Sequence, residues 1–327
     1  MSYEKVIHPL NIGGVELQNN LILAPMAGVT DLPFRMLCKE MGAGMVCMEM
    51  VSAKAIQYNN KNTFELLEIN EIEKPVSLQL FGNDPECISE SAKRIEDRPF
   101  DILDLNMGCP VPKVVNNGEG SALMKDPVLA GKIIEATAKA ISKPVTVKIR
   151  IGFDEEHLNA VEMAHIAEES GAAAIAVHGR TREQYYAGKA NWDEIAKVKQ
   201  AVKIPVLGNG DIFAPKDVKK MYDITLCDGY LVGRGAQGNP WIFEQILYYF
   251  EKGEAKPKPS TDELIETMLR HARHLIEVKG EYTGIREMRK HAAWYTAGYP
   301  HSSQLRGAIN TVEKYEDLEE IFLKLKS

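Results

Sequence analysis

The feature that most constrains this chain is a repeated alternation between residues 20 and 250. Short apolar runs occur at Leu21–Ala24, Met45–Met48, Val76–Phe81, Ile102–Leu105, Val145–Ile149, Ala173–Val177, Pro205–Leu207 and Gly229–Val232. They lack polar alternation, as strands buried on both faces of a parallel sheet do. Amphipathic segments such as DPVLAGKIIEATAKAIS and WDEIAKVKQAV lie between most of them. Eight such units in about 230 residues match the count and size of a (β/α)8 (TIM) barrel, with an open doubly wound sheet as the structural rival. Ahead of the first run, VIHPLNIGGVELQNN reads as a hairpin turning at Gly13-Gly14 and lidding the bottom of the barrel.

The texture changes after Phe250. EKGEAKPKPS reads as a linker, and Ser260-x-x-Glu263 is a capping box that opens a helix ending near Gly280. Helical patterns follow over about 285–297, 303–311 and 315–325. The expectation is a barrel over 1–250, including the hairpin, and an all-helical domain over 251–327.

Composition narrows the class. A 45% hydrophobic and 26% charged chain of 327 residues is ordinary globular material. No apolar stretch approaches the ~18 residues of a membrane span, and the N-terminus lacks a signal-peptide core. Five cysteines without a Cys-x-x-Cys spacing argue against disulfides and thiolate zinc, so no metal is expected and a reducing cytoplasm is. A net charge of −7 does not favour nucleic acid, which would need a local basic patch.

Barrel chemistry collects at the C-terminal strand ends. Reading off those ends gives Pro25-Met26-Ala27, Gln79, Asn106 with Gly108-Cys109-Pro110, Lys148 with Arg150, His178-Gly179-Arg180, Asn209-Gly210-Asp211 and Gly233-Arg234-Gly235. Gly233-x-Gly235-x-x-Gly238 formally matches a dinucleotide fingerprint, but no second strand with its acidic residue follows. A phosphate cradle in the last two strand loops fits better, and Arg234 favours it over simple turn glycines. Lys148 in a barrel mouth suits a developing negative charge. Gln79, an amide inside an apolar strand, needs partners that a planar heterocycle would supply. Taken alone, His178 is as compatible with a structural role as with a functional one. Cys38, Cys47, Cys87 and Cys227 read as small core residues. Cys109, in a rim loop, reads as nucleophile or general acid, and spacing does not decide between them.

APMAGVTDLPFR, VSLQLFG, LNMGCPVPKVVNNGEGSALM, VTVKIRIG, VHGRTREQ, VLGNGDI, VGRGAQGNPWIF and GIREMRKHAAWY together resemble the bacterial tRNA-dihydrouridine synthases, most of all the B-type branch. The resemblance implies a cytoplasmic flavin enzyme that reduces the C5–C6 bond of a tRNA uridine, with FMN as carrier and NADPH as hydride donor. It implies that Pro25, Met26 and Ala27 line the isoalloxazine, that Gln79 and Lys148 meet its polar edge, and that His178 lies near it. Asn209, Gly210, Asp211, Gly233 and Arg234 would hold the ribityl chain and phosphate. Cys109 matches the catalytic cysteine, and Asn106, Arg180 and Arg182 would contact uracil or its neighbours. Hydride should arrive at C6, the β-carbon of an enone, so the thiol would protonate C5 as a general acid.

Between Arg270 and Arg306 seven Arg and Lys face three Glu, and Arg286, Arg289 and Lys290 share a helix face. The alternative to a tRNA-phosphate patch is a merely solvated face. The rival enzyme is an FMN-dependent dihydroorotate or dihydropyrimidine dehydrogenase acting on a free pyrimidine. The rival from another class is a tRNA-binding chaperone on a barrel scaffold. A monomer is expected.

Overall fold

The computed structural model describes residues 5–299 and 302–326. A two-residue turn at Gly13-Gly14, both with positive φ, joins strands β1 (Leu10–Ile12) and β2 (Val15–Leu17) in an antiparallel hairpin. Eight parallel strands follow: β3 (Leu21–Leu23), β4 (Met45–Ser52), β5 (Val76–Phe81), β6 (Ile102–Met107), β7 (Val145–Arg150), β8 (Ala174–His178), β9 (Val206–Asn209) and β10 (Gly229–Val232). They close in chain order, with β10 pairing back onto β3 through Tyr230↔Leu21 and Val232↔Leu23. Closure leaves no exposed edge, and it removes the open-sheet rival.

Helices fill the crossovers and start where the sequence supplies caps. Asp31, Asp84 and Asp126 each accept a backbone N–H from the first turn of a helix with proline at its start. The bottom of the barrel is plugged as expected. Leu10, Ile12 and Leu17 of the hairpin pack with Ile22, Met45, Ile102, Ala174 and Leu207 in one apolar cluster.

The helices after the linker, Thr261–Lys279, Glu281–Tyr295, Ser302–Thr311 and Tyr315–Leu323, gather around a separate apolar cluster. Ser260 caps the first by accepting from Glu263 N, and Gly280 ends it. Gly284 lets the first two helices meet closely, since a Cβ there would lie 2.9 Å from Leu275 backbone atoms. Trp241 joins this cluster from the barrel side and donates its indole N–H to Glu263 at 2.8 Å. Gly238, with φ +65°, lies so close to Trp294 that a Cβ would fall 2.3 Å from its carbonyl carbon. The third glycine of the apparent fingerprint therefore serves barrel–tail packing, not a dinucleotide.

Candidate active site

The barrel mouth opens into a cavity of about 480 Å3 at the C-terminal strand ends. Strand register explains who faces it. Gln79 pairs with Asp104, Asn106 with Lys148, Arg150 with His178, and His178 with Asn209. In each strand alternate residues share a face, so Lys148 and Arg150 point the same way, with Asp104 one step below Asn106. Every residue expected to line a cofactor does line this cavity. Pro25, Met26 and Ala27 after β3, Gln79, Lys148 and His178 on β5, β7 and β8, and Asn209, Gly210, Asp211, Gly233 and Arg234 at the ends of β9 and β10 all line it.

Gln79 corrects one expectation. Its amide is already partnered, with Nε2 donating to Asp104 Oδ2 at 2.6 Å and Oε1 accepting from Asn106 Nδ2 at 2.8 Å. Asp104 also accepts from Thr146 Oγ1 at 2.6 Å, and burial pushes its carboxyl above the usual range. Asn106 lines the cavity, but its polar atoms are spent on the protein. Its Oδ1 accepts from Gly108 N at 3.2 Å and Cys109 N at 2.9 Å. The side chain is a bracket for the cysteine loop, which differs from a free uracil contact.

Cys109 is 9% exposed and lines the cavity beside Asn106 and Arg150. Its carbonyl accepts from Ser121 N and Oγ at 3.0 and 2.8 Å, so the loop is held at both ends. Burial pushes the thiol upward, outweighing the pull of Arg150 and Lys148. An upward shift favours the protonated thiol, the form that a general acid needs.

The cavity is rich in cations. Burial, with Arg150 beside it, pulls Lys148 down to about 8. Burial also holds His178 well below its ordinary value, and Lys148, Arg150, Arg180 and Arg234 add to the shift, so its ring is neutral. Arg234 Nη2 donates to Asp211 Oδ1 at 3.0 Å, beside Gly210, whose φ is +118°. A Cβ on Gly210 would lie 2.8 Å from that of Ala190.

Arg180 and Arg182 are placed elsewhere. Arg180 is 1% exposed, off the cavity, and donates to Ala187 O, Gly188 O and Asp211 Oδ2 at 3.0, 2.6 and 2.8 Å. Beyond β8 the chain doubles back, with Arg180 N bonding His178 O, and the side chain supports Asp211 from below. Arg182 stacks its guanidinium 5.2 Å from the Phe153 ring centroid. Two of the tail cations are engaged with the tail itself. Arg289 Nε donates to Val312 O at 2.9 Å, and Arg286 reaches Glu313 at 3.3 Å. Lys290 alone extends to the rim, 3.5 Å from where a Gly28 Cβ would sit.

Arg150, noted at its strand end without a role, and two aromatics that the sequence reading passed over complete the rim. Arg150 braces the rim by donating to Gly108 O, Thr181 O and Tyr185 O at 2.8, 2.8 and 2.9 Å. Tyr186 and Phe213, both about half exposed, flank Arg234 with ring centroids 4.8 and 5.6 Å from its guanidinium carbon. Adjacent aromatics in a polar loop, REQYYAGKAN, were the available signal, because such residues stack on unpaired bases.

A closed parallel barrel with its thiol, amide and cation set at the C-terminal mouth defines a (β/α)8-barrel enzyme. The family model described as dihydrouridine synthase matches residues 22–326, so the chain belongs to the dihydrouridine synthase family. A probable tRNA-dihydrouridine synthase of Rickettsia bellii is 46% identical, covering 92% of this chain and 93% of that one. The tRNA-dihydrouridine synthase B of Pseudomonas putida is 45% identical, covering 93% and 90%. Among solved structures the barrel is similar to 6-hydroxypseudooxynicotine amine oxidase of Pseudomonas geniculata, with a TM-score of 0.62 at 14% identity, covering 82% of this chain and 53% of that one. Morphinone reductase gives 0.54 at 14% identity, covering 78% and 91%. These two likenesses concern the fold alone.

Proposed function

We propose that the chain is a B-type tRNA-dihydrouridine synthase, reducing the C5–C6 bond of tRNA uridines with FMN as flavin and NADPH as electron source. The observation that carries this reading is a buried Cys109 thiol opening onto the same cavity as Lys148.

The cavity suits a flavin nucleotide. It has the size of a cofactor pocket, an apolar wall at Pro25–Ala27, and a cationic end at Arg234 where Gly233 leaves room for a close approach. Bound there, FMN would supply hydride chemistry. Lys148 would meet the polar edge of its ring, with the second amide N–H of Gln79 and neutral His178 as further hydrogen-bonding groups. Asn209, Gly210, Asp211, Gly233 and Arg234 would hold the ribityl chain and phosphate, where Arg234 offers the phosphate a charge-assisted bond.

Uracil C6 is the electrophilic carbon and accepts hydride. The negative charge that develops across C5 and O4 is neutralised when Cys109 Sγ gives its proton to C5, and solvent later restores the thiol. One hydride and one proton complete the reduction. A uridine must leave its stack to reach the mouth, where Tyr186 and Phe213 offer stacking faces. Lys290 would meet backbone phosphate at the rim. A reducing cytoplasm suits the free thiols of all five cysteines.

Stopped-flow measurement of the two half-reactions tests the proposal. NADPH should bleach the enzyme-bound flavin, and unmodified tRNA should restore its colour while dihydrouridine accumulates. Restoration by free uracil or orotate, but not by tRNA, would overturn it.

A further inference from the structure

Asp31, His271 and His291 meet where the barrel joins the tail, and none of the three lines the mouth cavity. Asp31 closes the loop after β3 and caps the next helix through Oδ1, which accepts from Phe34 N at 3.0 Å. His271 comes from the first tail helix and His291 from the second. Exposure is 4% for Asp31 and 0% for both histidines.

Their spacing does not match hydrogen bonding. His291 Nε2 lies 3.4 Å from Asp31 Oδ2, and His271 Nε2 lies 3.8 Å from Oδ1. A charge-assisted N–H···O bond would close to about 2.7–2.9 Å. Among the described residues, Asp31 Oδ2, His271 Nε2 and both ring nitrogens of His291 find no hydrogen-bond partner. Each such buried atom costs about 1–3 kcal/mol, so several converging on one point call for a missing partner, such as an ion.

The His291–Asp31 spacing matches a shared cation, and the His271–Asp31 spacing is wider by a few tenths of an ångström. Ligands about 2.0–2.2 Å from a tetrahedral metal stand about 3.3–3.6 Å apart. One ligand atom from each of the three residues can be chosen so that all lie within 4.8 Å of one another. His271 Nδ1 meets Tyr295 Oη at 3.3 Å, the outer contact that commonly fixes a metal-binding imidazole. Phe34 lies against both imidazoles, with centroids 5.9 and 5.5 Å away, and gives the site an apolar side.

We propose that Asp31, His271 and His291 bind a divalent metal of the zinc class, which ties the tail to the rim loop of the barrel. Two imidazoles and a carboxylate suit zinc or cobalt better than magnesium or calcium. Full burial makes the site structural, filled during folding.

The test uses the full chain without a histidine tag, produced in zinc-supplemented medium and assayed by elemental mass spectrometry. One zinc per chain is expected. The paired variant His271→Gln/His291→Asn should fall to background while keeping its circular dichroism. As a second measurement, wild-type protein is unfolded in chelator and refolded with cobalt(II) alone. It should take up one ion, with visible ligand-field bands, no thiolate charge-transfer band and a raised Tm. Absence of metal both as purified and after refolding with excess zinc or cobalt overturns the proposal. So does metal retained by the paired variant, or a thiolate band that places the ion on a cysteine. Should the variant not fold, the cobalt spectrum of wild type decides.

Discussion

The side chain of Asn106 holds the backbone N–H of Cys109 at 2.9 Å while its nitrogen donates to Gln79 at 2.8 Å. One residue therefore fixes both the thiol loop and the amide expected at the flavin edge. Asn106→Ala should leave flavin reduction by NADPH within a small factor of wild type. Reoxidation by tRNA should slow by about fivefold, as expected from losing a hydrogen bond worth about 1 kcal/mol that positions the acid. Asn106→Asp keeps the acceptor for Cys109 N and should recover part of that loss. Stopped-flow traces of both half-reactions check this, and equal slowing of both would make Asn106 a flavin-site residue instead.

Removing the acid itself is the sharper perturbation. Cys109→Ala should slow the tRNA half-reaction by the ~10²–10⁴ typical of a lost general acid, with the NADPH half-reaction near wild type. Because burial raises this thiol, wild-type Cys109 should also react slowly with iodoacetamide at neutral pH. Fast alkylation would point to a thiolate and hence a nucleophile.

The sequence carried the strands and the rim well, and the reasons are physical. A parallel strand buried on both faces is continuously apolar, so Val76–Phe81 shows itself without any partner. Closure depends on Tyr230 meeting Leu21, a pairing with no local signature. Strand-end residues were legible because the strand direction alone puts Lys148 and His178 at the mouth. Arg180, two residues further, was not, because the chain reverses and turns the side chain under Asp211. The shared face of Arg286 and Arg289 follows from helical spacing, but what that face meets does not. It meets the end of the next helix at Val312 and Glu313. Asp31, His271 and His291 come from two structural units, and no spacing rule links them.

Lys148 gives the site a pH signature. Burial and Arg150 place its folded value at about 8, below its ordinary value. Below pH 8 the ammonium is charged and attracts electron density at a flavin edge; above it, the amine is neutral and that attraction fades. FMN affinity should therefore fall as pH rises from 7 to 9. For stability of the apoprotein the sign is opposite. Unfolding lets the group bind a proton more tightly, so its charging penalty is present below pH 8 and is relieved as pH rises toward its ordinary value. Lys148→Met should bind FMN more weakly at pH 7 and show a flat profile over the same range. Fluorescence titration of FMN at several pH values checks this, and parallel profiles for the two proteins would assign the titration to another group.

The tail cations should separate by what they already touch. Arg289 is committed to Val312 O, where its guanidinium satisfies a carbonyl at the end of a helix, and it is only partly accessible. Arg289→Gln should therefore act mainly on stability, lowering it by about 1–3 kcal/mol as a charged hydrogen bond is lost. Lys290 reaches the rim beside Gly28, with the part-buried Glu49 carboxylate as an electrostatic neighbour and no hydrogen bond to it. Lys290→Gln should leave Tm nearly unchanged, weaken tRNA binding, and reduce the salt slope by about one ion if it meets one phosphate. Arg286, half engaged with Glu313, should fall between the two. Binding isotherms across a salt series, beside thermal melts of each variant, read both effects. A Lys290→Gln protein with wild-type affinity and wild-type salt slope would remove the rim lysine from the RNA-binding surface, leaving the helix face a solvated one.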